Sequence, residues 1–178
     1  MVKTFSLIAS LLLLVGGCGQ SMQDLGGSPS TTLADGDNNY FKTISLSNMT
    51  EIDSSKLALT QSQNADVKQF AQHMIDDHTN AANQVAALAA QKGVVLPTQL
   101  DSMHQSLIDD LTSKSGSDFD KAYIDLQVKA HNQTIAADQS EANNGLDPQV
   151  KQLANSLLDT LKMHLSMAEK LQSGTGGM

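Results

Sequence analysis

"ADVKQFAQHMIDDHTNAANQVAALAAQKG", residues 65–93, decides the fold. Val67, Ala71, Met74, Ala81, Val85 and Leu88 recur at alternating steps of four and three, with His78 filling the slot between Met74 and Ala81. That spacing keeps one stripe of a 3.6-residue helix facing one side. Phe70, Ile75, Ala82 and Ala89 widen the stripe to a core-facing band, and Gly93 supplies a C-cap. A helix over about Ala65–Lys92 is therefore predicted, with a histidine where a Leu or Val belongs. His73 falls on the opposite face among Asp66, Gln69, Asp76, Asp77 and Asn80, which reads as a solvated surface with His73 and Asp77 paired one turn apart.

The same signature returns near the C-terminus. Asp147 caps and Pro148 opens a helix to about Leu171, with seam positions Val150, Ala154, Leu157, Leu161, His164, Ala168 and Leu171. Again a histidine takes one slot. "VKQFAQHMID" (67–76) and "VKQLANSLLD" (150–159) share five of ten residues and are apolar together at three more, an internal echo. Two further long helices have blurred stripes. One spans about Tyr40–Gln63, with Ile44, Asn48, Glu51, Ile52, Ser55 and Leu59 near one face. The other spans about Asp118–Ala142, capped by Asp118, with Tyr123, Ile124, Gln127, Val128, His131, Ile135 and Asp138. A shorter helix over about Thr98–Ser113 follows Pro97. No segment reads as a strand. Two helical hairpins joined by a long crossover give an all-α fold, a ferritin-like four-helix bundle with an additional short crossover helix.

The first residues read as a targeting signal. Lys3 precedes the apolar run "FSLIASLLLLV" (5–15), shorter than a membrane span of about 20 residues, and Gly16-Gly17 lead into Cys18. "LVGGC" resembles the lipobox of bacterial lipoproteins, which implies lipidation of Cys18 after removal of residues 1–17. Multiple acyl chains would anchor the chain stably at a membrane. Gly19 after the cysteine, by resemblance to other lipoproteins, favours the periplasmic face of the outer membrane in a Gram-negative cell. Residues 18–39 are expected to form the lipidated start and a flexible tether, 40–172 the bundle, and 173–178 a disordered tail.

The chain has 11 Lys and Arg against 19 Asp and Glu, a net charge of −8, and removal of residues 1–17 deletes only Lys3. There is no arginine. Nucleic-acid binding, which wants a basic face and guanidinium forks, is excluded as a reading, and so is charge-driven adhesion to anionic lipid. The single cysteine, once lipidated, leaves no thiol for a disulfide or for catalysis.

Together "VKQFAQHMIDDH", Leu96-Pro97, "FDKAYIDLQVKAH" (119–131) and "LKMHLSMAEKL" (161–171) resemble a family of exported bacterial proteins of unknown function, described as ferritin-like bundles and outer-membrane or exported proteins. The resemblance covers about Tyr40–Leu171. It implies an all-helical fold and an envelope location, and no activity.

Helix arithmetic at 1.5 Å per residue puts Glu51, His78, His131 and His164, one from each long helix, near the midplane of such a bundle. Three imidazoles and a carboxylate suit a mononuclear transition-metal site for Zn, Cu, Fe or Ni. The same residues, with Tyr123 as a supporting partner, also suit a closed polar network that fixes helix register. The di-iron signature is missing: Ile75, Val128 and Leu161 stand three before the histidines, where glutamate is needed. His104 has no clear partner, and the methionines read as core filler. No nucleophile motif or phosphate loop is present. The expected function is a non-enzymatic envelope lipoprotein acting on protein partners or in stress tolerance. The alternative is a metal-binding protein whose centre is built from three histidines and one glutamate.

Overall fold

Five helices carry the chain in the computed structural model, which describes residues 33–175: α1 (Asp35–Gln61), α2 (Ala65–Lys92), α3 (Ser102–Thr112), α4 (Gly116–Asn144) and α5 (Pro148–Thr175). There is no strand among the described residues. The helix boundaries have local chemical causes. Asn64 Oδ1 accepts from the backbone N–H groups of Asp66 and Val67 and starts α2. Gly93 ends it at φ 71°, a left-handed geometry that returns its N–H to the Ala89 and Ala90 carbonyls. Asp147 Oδ1 receives the N–H groups of Gln149 and Val150 and starts α5.

Several boundaries differ from expectation. α1 begins at Asp35, inside the segment read as tether. Asp35 and Asp37 in its first turn suit the helix dipole, and Asp37 also accepts from the N–H groups of Leu146 and Asp147 at 3.0 and 2.9 Å, which pins this end to the α4–α5 turn. α3 begins at Ser102, because Asp101 supplies the cap to His104 N. α4 begins at Gly116, so Asp118 lies inside its first turn instead of capping it. α5 runs to Thr175, into the stretch expected as tail. The leader, Cys18, the tether up to residue 32 and the last three residues lie outside the described residues.

α1 pairs with α2 and α4 with α5, and the hairpins meet along α1/α4 and α2/α5. Ser47–Thr134, Ser54–Gln127 and Ser55–Tyr123 bonds run in opposite chain directions, so α1 and α4 are antiparallel. Lys92–Asp147 and Asp77–His164 show the same for α2 and α5. Every neighbour is then antiparallel, α2 and α4 point the same way, and α3 carries the chain back along α1 and α4. This is the four-helix bundle with a crossover helix read from sequence.

The apolar core is split. One cluster gathers Tyr40, Phe41, Ile44, Val85, Val150 and Leu157; the other gathers Val67, Phe70, Met74, Phe119, Tyr123 and Ile124. Between them lies a polar layer of Asn48, Glu51, His78, Gln127, His131 and His164, all buried. No helix among the described residues is long and apolar enough to cross a membrane.

Candidate metal centre

All four long helices send side chains into that layer. Glu51 comes from α1, His78 from α2, His131 from α4 and His164 from α5. The three imidazoles form a closed triangle, with ring centroids 5.3 to 5.5 Å apart. One ring nitrogen of each lies within 4.8 Å of the other two. The structure brings His78, His131 and His164 together and sets Glu51 against His78 and His131.

The hydrogen bonds sort the six ring nitrogens into two sets. His78 Nδ1 lies 2.9 Å from Asn48 Oδ1 and 3.0 Å from Glu51 Oε2. His131 Nδ1 donates to its own helix, to the Gln127 carbonyl at 2.9 Å. His164 Nε2 donates to Asp77 Oδ2 at 2.9 Å. The opposite nitrogens, His78 Nε2, His131 Nε2 and His164 Nδ1, are buried and have no partner. Each ring is thus held by one nitrogen and free at the other. The carbonyl and carboxylate acceptors fix a proton on the held side of His131 and His164 and leave a lone pair on the free side.

The rings are kept neutral. Burial lowers His78 well below the ordinary histidine value, helped by His131 and His164. Burial also brings His131 to about 4, opposed by its Gln127 bond and assisted by His164. Burial lowers His164 too, with Asp77 pulling the other way. A proton shared among the free nitrogens is therefore disfavoured.

Glu51 stands differently from the arrangement expected of a ligand. Its oxygens face the held nitrogens, Oε2 on His78 Nδ1 and Oε1 3.4 Å from His131 Nδ1, and it is absent from the converging group. It orients the rings from outside. Burial raises its carboxyl to about 8, with Ser47 pulling down and Asp138 pushing up. Tyr123, expected to support the cluster, hydrogen-bonds Ser55 at 2.8 Å instead.

Periodicity assigns Asp77 to the solvated face. Its side chain is 42% exposed, yet it holds the fully buried His164. The α2 pattern marks Asp77 as one step outside the seam, and nothing in that pattern shows that α5 brings a ring to it. Asn48 and Gln127 sit at seam positions of the blurred helices, and their polarity there is the available signal for a polar layer.

A small opening of about 20 Å³, bordered by Asn48, Asp77, His78, Thr160, Leu161 and His164, reaches the triangle from the α2/α5 side. It has room for about one water-sized sphere.

Fold and site together define a class: a crossover four-helix bundle with three histidines converging at its midplane. The chain belongs to the family described as domain of unknown function DUF4142, whose model matches residues 23–171. No curated protein sequence matches it. Solved structures with the same fold include a DUF305 fragment from Deinococcus radiodurans, 13% identical, covering 79% of this chain and 97% of that one at a TM-score of 0.71. A secreted DUF305 protein from Streptomyces coelicolor is 11% identical, covering 79% and 92% at 0.68. CopM in its Cu(II)-bound form is 14% identical, covering 78% and 96% at 0.66.

Proposed function

We propose that this is an exported, lipid-anchored protein that binds one transition-metal ion, copper foremost, through His78 Nε2, His131 Nε2 and His164 Nδ1. The carrying observation is that three buried histidines each bring one ring nitrogen within 4.8 Å of the others, while each ring keeps one buried nitrogen without a partner. Three lone pairs facing each other repel, and each buried acceptor left unpaired costs about 1–3 kcal/mol. One water has two protons for three acceptors and leaves one unpaired. A cation satisfies all three. The opposite nitrogens are oriented by Asp77, by a backbone carbonyl and by the Asn48–Glu51 pair, as metal-bound histidines usually are.

Neutral imidazoles without carboxylate suit Cu or Zn over Mg or Ca. CopM, captured in Cu(II)- and Cu(I)-bound forms on the same fold, favours copper. The narrow opening admits an ion and no sizeable substrate, which favours binding over catalysis. Lipidation at Cys18, the outer-membrane site and contacts with envelope proteins belong to the same proposal, supported by the leader and by a secreted relative in fold.

The test is elemental analysis of the purified mature protein after loading with Cu and Zn. Near one equivalent is expected, with loss in His131→Ala and His164→Ala. Absence of Cu, Zn, Ni or Fe together with no thermal shift on adding them would overturn the reading. Cys18→Ser should abolish incorporation of labelled fatty acid; continued labelling would remove the anchor.

A further inference from the structure

The α1/α4 seam holds a second group of buried oxygens, toward the N-terminal end of α1. Asp138 is fully buried, and neither carboxylate oxygen completes a hydrogen bond. Tyr40 is 5% exposed, and its hydroxyl lies beside the Asp138 carboxylate as a hydrogen-bonding neighbour that stops short of a completed bond, while Glu141 adds only its charge. Glu141 Oε1 is buried and completes no hydrogen bond, and the carboxyl beside it is that of Asp37. The Glu141 carboxylate takes the space a side chain would fill at position 145, where a Cβ would collide with Oε1. Glu141, Tyr40 and Gly145 line a cleft open to solvent.

The surrounding charges do not neutralise the pair. On α1, Asp37 accepts backbone N–H groups with both oxygens and its carboxylate also borders Glu141, and Glu51 lies deeper in the seam. From the α5 end, Asp147 adds negative charge to Glu141. Lys151 partly offsets the charge of Glu141 without forming an ion pair with it, its Nζ donating to the Asn143 carbonyl at 3.1 Å. Among the described residues no lysine forms an ion pair with Asp138 or Glu141. Two buried carboxyls and a phenol thus share a place with no cation from the fold, and leaving such groups unpaired is costly.

We propose that Asp138, Glu141 and the Tyr40 hydroxyl form a second cation site, for a hard divalent ion of the Mn²⁺, Mg²⁺ or Ca²⁺ class, with water from the cleft completing its shell. All donors are oxygens, the set such ions take, and one or two carboxylates with retained waters is a common arrangement. The site is separate from the histidines: Asp138 follows His131 by seven residues, about 10 Å along α4. It does not depend on the copper reading. Burial raises Asp138 and Glu141 to about 7 each, opposed at Asp138 by the Tyr40 hydroxyl, with Glu141 acting further on Asp138 and Asp37 on Glu141. Protons therefore compete with the ion, and binding strengthens as pH rises through 7.

The experiment is a Mn²⁺ titration of the mature protein followed by the EPR signal of free Mn²⁺, on wild type, Asp138→Asn, Glu141→Gln and His131→Ala. One equivalent is expected to bind in wild type and His131→Ala, more tightly at pH 8 than at pH 6.5. Asp138→Asn and Glu141→Gln each weaken it about tenfold or more. Thermal melts confirm folding, and Glu141→Gln at the cleft edge stands as the test if Asp138→Asn fails to fold. Binding unchanged in Glu141→Gln overturns the proposal. So does loss of Mn²⁺ binding in His131→Ala, seen as an undepleted free-ion signal, which would place the ion at the histidines. No depletion of free Mn²⁺ below about 1 mM overturns it as well, since the carboxyls then hold protons only.

Discussion

His131→Leu separates a metal centre from a structural polar network by the sign of a stability change. In the metal-free protein His131 Nε2 is a buried acceptor with no partner, a burden of about 1–3 kcal/mol. Its Nδ1 bond to the Gln127 carbonyl is worth about 0.5–1.5 kcal/mol and stays within one helix turn. Glu51 loses a contact already at 3.4 Å and keeps His78. Leucine fills a similar volume in a site with no exposure, so the exchange leaves no large cavity. The balance is a gain of about 0.5–2 kcal/mol in the chelator-treated protein, near 2–8 °C in Tm for a domain of this size. With Cu present the order reverses, because an ion at about 100 times its Kd adds about 2.7 kcal/mol to wild type alone. Urea and thermal melts followed by circular dichroism, with and without chelator, read both arms. A metal-free His131→Leu destabilised by more than about 1 kcal/mol, with wild type indifferent to metal, would show that the histidines act as a hydrogen-bonded network.

Three further outcomes follow from single contacts. Asp77→Ala leaves the fold intact but frees His164 to rotate, and Cu affinity by chelator competition should fall about 10–100-fold; unchanged affinity would remove Asp77 from the centre. Asp138, raised to about 7, keeps in the metal-free folded state a proton the unfolded chain releases from about pH 4 upward. Its contribution to stability therefore falls as pH rises from about 4 to 7, by at most about 4 kcal/mol, and Asp138→Asn should gain on wild type across that window in urea titrations; parallel curves would refute the shift. Asn64→Ala removes the α2 cap and should cost about 1 kcal/mol, with an unchanged midpoint arguing that the α1–α2 turn is held by other contacts.

The seams of α2 and α5 are legible in sequence because their buried positions are mostly apolar, so each histidine stands out against a clean period. α1 and α4 resist the same reading for a physical reason. They bury Asp37, Asn48, Glu51, Ser54, Ser55, Gln127, Thr134 and Asp138, and a seam made of polar residues has no apolar stripe to find. Depth along the bundle is still readable, since a rise of about 1.5 Å per residue holds whatever the side chains are, and it brings Glu51 and the three histidines to one layer. Which way the rings turn is not readable. Glu51 lies at the right depth and on the wrong side of His78 and His131 to join the converging nitrogens, while Asp77 reaches His164 from a position that periodicity assigns to solvent. Both depend on rotamers and on the α2/α5 approach, which a one-dimensional period does not contain.

The free nitrogens come from both hairpins: His78 from the first, His131 and His164 from the second. Neither hairpin alone owns a complete donor set, so the centre exists only after the two halves dock. Capture of an ion there would then serve as a proofreading signal for assembly, recorded by the chain itself, and would brace two halves that no disulfide can join in a protein with a single cysteine.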